Sequence, residues 1–95
     1  MEKYDIIFPI GRITYATKFS IKSAFNQSFQ YNNFIAVIDT KNEFTYQEIL
    51  KLLIDLPRVI IKRTYGKGPA SARNLAISFS NSEYIAFLDS DDVWN

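Results

Sequence analysis

Short apolar runs that alternate with segments of helical spacing constrain the fold of this chain more than any other feature. The runs lie at residues 4–8, 34–38, 59–61 (within the predicted strand 58–63) and 84–88. Continuous apolar runs of this length are typical of strands that are covered on both faces. The order β-α-β-α-β-α-β predicts an α/β fold, in which a Rossmann-like open parallel sheet lies between helices in a three-layer α/β/α arrangement.

The segments between the strands show helical periodicity and end signals. Residues 17–29 form the first predicted helix, and Thr45 with Glu48 fits a capping box for the second. Pro57 ends that second helix, since the residue before a proline is disfavoured in the helical region. The predicted inward faces are Ile21, Ala24, Phe25 and Phe29 in the first helix and Ala72, Leu75, Ala76 and Phe79 in the third.

Composition excludes several classes of function. A chain of 95 residues suits one small domain, and 11 basic against 10 acidic residues give no electrostatic argument for binding nucleic acid. The absence of Cys and His removes thiolate and imidazole chemistry, so a bound metal would have to be a hard ion such as Mg²⁺ or Mn²⁺. No signal peptide and no apolar run near the roughly 20 residues of a membrane span are present, so we expect a cytoplasmic protein.

Polar residues follow the predicted strands at their carboxyl ends, where open parallel sheets bind ligands. Residues 9–12 read P-I-G-R after the first strand, Asp39 follows the second, and residues 89–92 read D-S-D-D after the fourth. These three segments therefore define the candidate site. The loop before the third helix adds Gly66, Gly68, Arg73 and Asn74.

The acidic cluster is the strongest of these signals. Asp89, Asp91 and Asp92 repel one another unless a cation binds them. A divalent ion that shares its coordination with a diphosphate is a natural partner. A solvated acidic turn that caps a following helix explains the same residues, and both interpretations stay open here.

The remaining polar residues are weaker signals. Asp39 is a turn former or an acceptor of hydrogen bonds from a base or ribose. Gly66 and Gly68 suit a flexible loop, and no Walker A or dinucleotide-binding pattern surrounds them. Arg73, early in a helix, indicates an anionic partner or a surface salt bridge.

Taken together, three motifs resemble the nucleotide-sugar-binding half of family 2 glycosyltransferases, which have the GT-A fold. Residues 68–74 read G-P-A-S-A-R-N and residues 88–94 read L-D-S-D-D-V-W, similar to that family's G-x-x-x-A-R-N helix and L-D-x-D-D-x-W segment. Residues 23–29, S-A-F-N-Q-S-F, resemble its S-x-x-x-Q-[ST]-[FY] helix end. The resemblance covers nearly all of this chain but only the first part of a typical member, so we expect a single truncated GT-A-like domain over residues 1–95.

The resemblance implies roles for individual residues. Asp91 matches the aspartate that holds Mn²⁺ or Mg²⁺ on the diphosphate, and Asp89 matches the aspartate near the ribose and metal. Asp39 matches the residue that reads the base, Pro9 the turn that lines the nucleotide, and Arg73 the donor pocket.

Two departures from the family pattern concern base recognition. The family's P-x-Y-N turn stands here as P-I-G-R at residues 9–12, without its aromatic residue. Its D-D-G-S turn stands as I-D-T-K at residues 38–41.

The resemblance also implies an enzyme and its partners. It predicts inverting glycosyl transfer from a nucleotide-diphospho-sugar, with a UDP-sugar as the favoured donor, to a saccharide or lipid-linked acceptor. The family's acidic catalytic base lies in the later half, beyond residue 95, so no catalytic base is assigned here. A lipid-linked acceptor would bring the protein to the inner face of the membrane.

Two alternatives remain at this stage. The chain could be a truncated, catalytically inactive remnant that only binds nucleotide or self-associates as a homodimer through its sheet edge. A Mg²⁺-dependent phosphohydrolase is disfavoured, because such sites usually place a nucleophilic Asp after the first strand, where this chain has Phe8 and Pro9.

Overall fold

The computed structural model describes residues 3–90, and it contains the predicted alternation of strands and helices. A short 3₁₀ helix, Ser28–Gln30, precedes the second strand. The elements in chain order are β1 (Tyr4–Ile10), α1 (Thr17–Phe25), β2 (Tyr31–Asp39), α2 (Glu43–Leu53), β3 (Val59–Thr64), α3 (Pro69–Ser78) and β4 (Tyr84–Phe87).

The four strands form one parallel sheet in the order β3-β2-β1-β4. Strands β1 and β2 lie in the centre, and the connection that leads to β4 crosses back over them. This arrangement confirms the predicted α/β fold with an open parallel sheet.

Side chains alternate between the two faces of the central strands and create two cores. Ile6 and Phe8 of β1 point to the face covered by α1 and α2, while Ile7 points to the face covered by α3. On β2, Phe34 joins the first core and Ile35 the second. Because both faces of β1 and β2 are buried, their sequences are continuously apolar, as parallel central strands require.

A buried carboxylate anchors the amino end of the sheet. Asp5 is fully buried and accepts hydrogen bonds from the Ser80 hydroxyl at 2.5 Å, the Ser82 hydroxyl at 2.8 Å and the Asn33 N–H at 3.1 Å. These contacts join the segment that leads into β4 to the two central strands. Asp5 is therefore satisfied by structural partners, far from the carboxyl ends of the strands.

The fourth strand is apolar but exposed. Tyr84, Ile85 and Phe87 all present much of their surface to solvent, whereas Leu88 just after the strand is buried. The helices within residues 3–90 cover β1 and β2, so β4 remains an open edge of the sheet.

The first helix is shorter than its periodicity predicts. It ends at Phe25, and its buried side consists of Thr17, Ser20, Ile21 and Ala24. Phe25 lies one residue past Ala24, about 100° around the helix, and is exposed; Phe29 lies in the 3₁₀ helix and is also exposed. The prediction that both phenylalanines face the core was therefore wrong. None of the helices within the described residues is long and apolar enough to cross a membrane.

Pro9 does not end the first strand, as the sequence predicted, but lies inside it. The carbonyl of Ile7, two residues before Pro9, accepts the Leu88 N–H at the last contact with β4. Pro9 itself pairs in register with Val37 of β2. Because hydrogen-bonding direction alternates along a strand, the nitrogen of Pro9 faces the side on which β4 has already ended. The missing N–H thus leaves no ladder bond unmade.

The second helix begins earlier than the predicted capping box. Asn42 is the N-cap, and its side-chain oxygen accepts the Thr45 N–H at 2.8 Å. Thr45 is therefore the third helical residue and contributes a backbone donor, not the cap. The helix ends at Leu53, a few residues before Pro57.

This cap yields a first prediction. Asn42→Ala should lower the free energy of unfolding by about 1 kcal/mol, because the Thr45 N–H loses its acceptor. Thr45→Ala should change it by less than about 0.5 kcal/mol, as surface substitutions usually do. Urea unfolding of the two variants measures both values, and a larger loss for Thr45→Ala would instead support the capping box predicted from sequence.

Candidate functional site

A cavity of about 410 Å³ opens at the carboxyl end of the sheet. Its wall combines the end of β1 and the loop after it, the last residue of β2, the amino end of α3 and the residues after β4. The lining residues are Pro9, Ile10, Gly11, Arg12, Thr14, Asp39, Pro69, Ala72, Asp89 and Ser90.

The topology of the sheet creates this cavity. From β1 the chain moves to β2 and β3 on one side, and then crosses back to β4 on the other side of β1. The loops that leave β1 and β4 therefore diverge and leave a crevice between them. Open α/β sheets bind ligands in such a crevice, where the strand order reverses.

Asp39, at the end of β2, binds the loop between β3 and α3. Its Oδ1 accepts the Thr64 hydroxyl at 2.6 Å, the Gly66 N–H at 2.7 Å and the Lys67 N–H at 2.9 Å. Its Oδ2 accepts the Gly68 N–H at 2.8 Å. One carboxylate thus fixes the whole turn that leads into α3.

These contacts also control the charge of Asp39. Burial raises the pKa of Asp39, but the Thr64 hydroxyl and the N–H groups of Lys67, Gly68 and Gly66 together lower the pKa below its usual value. The hydrogen bonds stabilise the ionised form, and their sum exceeds the cost of burial.

The loop after β3 needs glycine for its backbone. Gly66 has φ +77° and Gly68 has φ +101°, in the region that other residues avoid. Gly68 is the N-cap of α3, and Pro69 occupies the first helical position, where its missing N–H matters least. The sequence suggested a flexible loop here, whereas the structure shows one that Asp39 holds at three successive N–H groups.

Arg63 supports the same loop from the side. Its guanidinium carbon lies 4.0 Å from the ring centre of Tyr46 and 4.5 Å from that of Tyr65. The Arg63 Nη1 donates a hydrogen bond to the Glu43 Oε2 at 2.9 Å. The hydrogen bond from Arg63 lowers the pKa of the Glu43 carboxyl. The stack connects the start of the loop to the first turn of α2.

Asp89 and Arg73 face each other at the cavity. The Arg73 Nη2 lies 3.6 Å from the Asp89 Oδ1, and the guanidinium also lies 5.4 Å from the ring centre of Phe87. Both charged side chains remain partly exposed. The salt bridge that the sequence allowed for Arg73 is therefore present, with a residue that itself lines the cavity.

The donor set at the cavity fits a hard metal ion in part. Asp89 offers a partly exposed carboxylate, whereas the oxygens of Asp39 are largely used by the loop. No group of three or more metal-binding side chains occurs within residues 3–90. Mg²⁺ in proteins usually takes one or two carboxylates and completes its shell with phosphate oxygens and water, so Asp89 fits as one ligand beside a bound diphosphate.

The structure brings four of the five predicted site residues to one place. Pro9, Asp39 and Asp89 line the cavity, and Arg73 reaches it through Asp89. Asp91 lies outside the described residues. The metal and nucleotide roles of all five stay predictions.

Several residues of the site had no role assigned from the sequence. Arg12 and Ser90 lie in the predicted segments 9–12 and 89–92 and contribute a cation and a hydroxyl to the wall. Thr14 also lines the cavity and was not predicted, and the N–H groups of Gly66 and Lys67 hold Asp39. The spacing of the two glycines after β3 was the available signal for the loop, but no local pattern linked it to Asp39.

Comparison with known proteins identifies the family. The family model described as Glycosyl transferase family 2 matches residues 16–95. The chain belongs to glycosyl transferase family 2. The resemblance drawn from residues 68–74 and 88–94 is thereby confirmed.

Two relatives come from Escherichia coli. The chain is 39% identical over 80 residues to WfaP, a UDP-Glc:alpha-D-GlcNAc-diphosphoundecaprenol beta-1,3-glucosyltransferase, covering 84% of this chain and 30% of WfaP. It is 32% identical over 90 residues to WfgD, a protein of the same description, covering 95% of this chain and 35% of WfgD. The chain thus spans about a third of each relative.

A solved structure has the same fold. The crystal structure of S. aureus TarS 1-349 superposes with a TM-score of 0.78 at 23% identity, covering 98% of this chain and 28% of TarS. This likeness supports the GT-A fold predicted from the motifs.

The Asp39 contacts yield a second prediction. Asp39→Asn should lower the free energy of unfolding at pH 7 by about 1.5–3 kcal/mol, the usual value of a hydrogen bond to a charged group, because the amide cannot accept all four bonds. The native pKa is depressed, so this stabilisation is complete above about pH 4, the ordinary pKa of Asp, and is lost as the pH falls through the native value.

Urea unfolding between pH 7 and pH 3 measures this effect. The difference between the natural chain and Asp39→Asn should shrink below about pH 4. Asp55→Asn, a change at an exposed aspartate, serves as the matched control and should follow the natural chain. A difference that stays constant with pH would contradict the role of the ionised Asp39.

Proposed function

We propose that this chain forms the part of an inverting family 2 glycosyltransferase that binds a nucleotide-diphospho-sugar donor together with a divalent metal ion. The observation that carries the proposal is the cavity at the reversal of strand order, which joins Asp39, Asp89 and Arg12 in one wall. Its volume of about 410 Å³ is within the usual range of small-molecule sites.

The groups around the cavity suit the anionic part of such a donor. Arg12 lines the wall, and Arg73 lies beside it. The amino end of α3 also faces the cavity through Pro69, and no side chain caps it. First-turn N–H groups without an intrahelical partner attract phosphate oxygens.

By family resemblance, Asp91 would hold the metal ion on the diphosphate, and Asp89, near the ribose, would be a second ligand to it. The bound ion would offset the charge that develops on the departing nucleoside diphosphate. Arg73 lies 3.6 Å from the Asp89 carboxylate in the free chain and forms an ion pair with it. Asp39 fixes the loop and so aims the amino end of α3.

The other half of the reaction needs residues that we do not assign in this chain. Inverting transfer requires an acidic base that deprotonates the acceptor hydroxyl, which then attacks the anomeric carbon. Family resemblance places that base beyond residue 95. We therefore propose donor binding, not complete transfer, as the activity of residues 1–95.

The activities of two relatives suggest the substrate class. WfaP and WfgD are described as enzymes that use UDP-Glc and a diphosphoundecaprenol acceptor. By analogy, we propose a UDP-sugar as the donor and a lipid-linked saccharide as the acceptor of the whole enzyme, which would act at the cytoplasmic face of the membrane.

Calorimetric titration of UDP and GDP, with and without Mn²⁺, tests the proposal. We expect UDP to bind more tightly with Mn²⁺ than without it. Asp89→Ala should weaken the Mn²⁺-dependent binding by about tenfold or more, equivalent to about 1.4 kcal/mol. Asp91→Ala should have the same effect if both residues are ligands.

Glu83→Ala provides the matched control, because Glu83 is an exposed acid at the opposite end of β4. It should leave both affinities unchanged. Absence of nucleotide binding under every condition would overturn the proposal. Binding that ignores Mn²⁺ would overturn only its metal component.

The open edge of the sheet favours a second candidate, a folded chain that self-associates. Tyr84, Ile85 and Phe87 expose apolar surface along β4, an unpaired edge among the described residues. Exposed edge strands promote pairing with another chain. Sedimentation equilibrium would detect a dimer, and a dimer that binds neither UDP nor GDP would favour this candidate.

A further inference from the structure

The outer side of α1 presents an unusual amount of aromatic surface. Tyr15 is 91% exposed, Phe19 is 52% exposed and Phe25 is 51% exposed. The rings of Tyr15 and Phe19 lie with their centres 6.0 Å apart. Helical geometry places Phe19 and Phe25 with Lys18 and Lys22 within about 120° of the helix circumference, and Tyr15 lies two residues before the first helical residue, Thr17. We call these five residues the α1 face.

The charged residues of α1 and of the loop before it all have one sign. The sequence from Ile6 to Ile38 contains Arg12, Lys18 and Lys22 but neither Asp nor Glu. The chain as a whole carries a formal charge of +1, so the acidic residues lie elsewhere. A patch that combines cations with exposed aromatic rings is complementary to a surface that is both anionic and apolar.

An apolar groove continues the α1 face toward α2. It has a volume of about 230 Å³. Asp55 is the one acidic residue in its lining, across from Lys18 and Lys22. The lining residues are Lys18, Ile21, Lys22, Phe25, Leu52, Asp55 and Leu56.

The α1 face begins at the rim of the large cavity. Thr14 lines that cavity, and the next residue, Tyr15, is the first residue of the α1 face. Helix α1 then runs away from the carboxyl end of the sheet. A surface that contacts the whole α1 face would therefore also lie beside the mouth of the cavity.

We propose that the α1 face is a docking surface for an anionic lipid bilayer. Lys18 and Lys22 would pair with anionic head groups, while the rings of Tyr15, Phe19 and Phe25 enter the interface between head groups and acyl chains. Amphipathic helices with lysines and large apolar side chains bind membranes in this way. The inference of membrane docking depends only on the α1 face. The idea that docking brings a lipid-linked acceptor to the cavity also rests on the proposed function.

Co-sedimentation with vesicles tests the docking. The natural chain should bind phosphatidylglycerol vesicles and bind phosphatidylcholine vesicles much less, and added salt should weaken the binding. The double variant K18Q/K22Q should weaken binding on the order of 30-fold, since each surface lysine contributes roughly a factor of five. The double variant F19S/F25S should weaken binding on the order of tenfold or more, since it removes buried apolar area. All four side chains are exposed, so the variants should remain folded.

A matched pair on the opposite face of the sheet controls for charge and apolar character. Lys62 lies 4.6 Å over the ring of Phe79, on the side of α3. Lys62→Gln and Phe79→Ser should leave vesicle binding unchanged. Equal loss in these controls, or no binding of the natural chain to phosphatidylglycerol, would overturn the proposal.

Two other readouts separate this inference from its alternatives. The vesicle assay contains no nucleotide, so its failure and a failure of nucleotide binding are distinguishable. Sedimentation velocity without lipid is also informative. A dimer that F19S/F25S dissociates would assign the α1 face to a second copy of the chain and overturn membrane docking.

Discussion

The Asp39 carboxylate is the interaction on which the rest of the site depends. It ends β2 and accepts three successive N–H groups of the loop that leads into α3. The loop sets where α3 begins, and α3 carries Arg73 to its contact with Asp89. A single ionised group thus couples the ends of β2, β3 and β4, and the shape of the cavity follows from that coupling.

The hydrogen bonds of Asp39 also limit which groups at the cavity remain free to bind a nucleotide. Successive N–H groups in a glycine-containing turn form an anion site, but here the chain's own carboxylate fills it. Under the proposed function, a diphosphate would therefore bind at the first turn of α3 with Arg12 and Arg73. Asp39 Oδ1 already accepts three hydrogen bonds, so a base could reach only the free lone pair of Oδ2.

The fold could be predicted from the sequence because its main constraint is local. Strands buried on both faces are continuously apolar, and the run at residues 34–38 in the central strand β2 shows this directly. The inward prediction for Phe29 failed because helical spacing does not reveal where α1 ends, and the prediction for Phe25 failed because its side chain lies about 100° around the helix from Ala24. The Asp39 contacts could not be predicted, because they join residues 25 to 29 positions apart that only the paired strands bring together. The cavity position was predictable, since it depends on strand order alone.

The ion pair between Asp89 and Arg73 keeps both charged side chains at the cavity wall while leaving them able to separate. A partly exposed ion pair contributes only about 0–1 kcal/mol, so its opening costs little. In the free chain the two side chains form an ion pair at the cavity wall. Under the proposed function, Arg73 would face the phosphates of a bound diphosphate and Asp89 would face its cation. Each charge would then stay paired, which would favour joint binding of nucleotide and metal over binding of either alone.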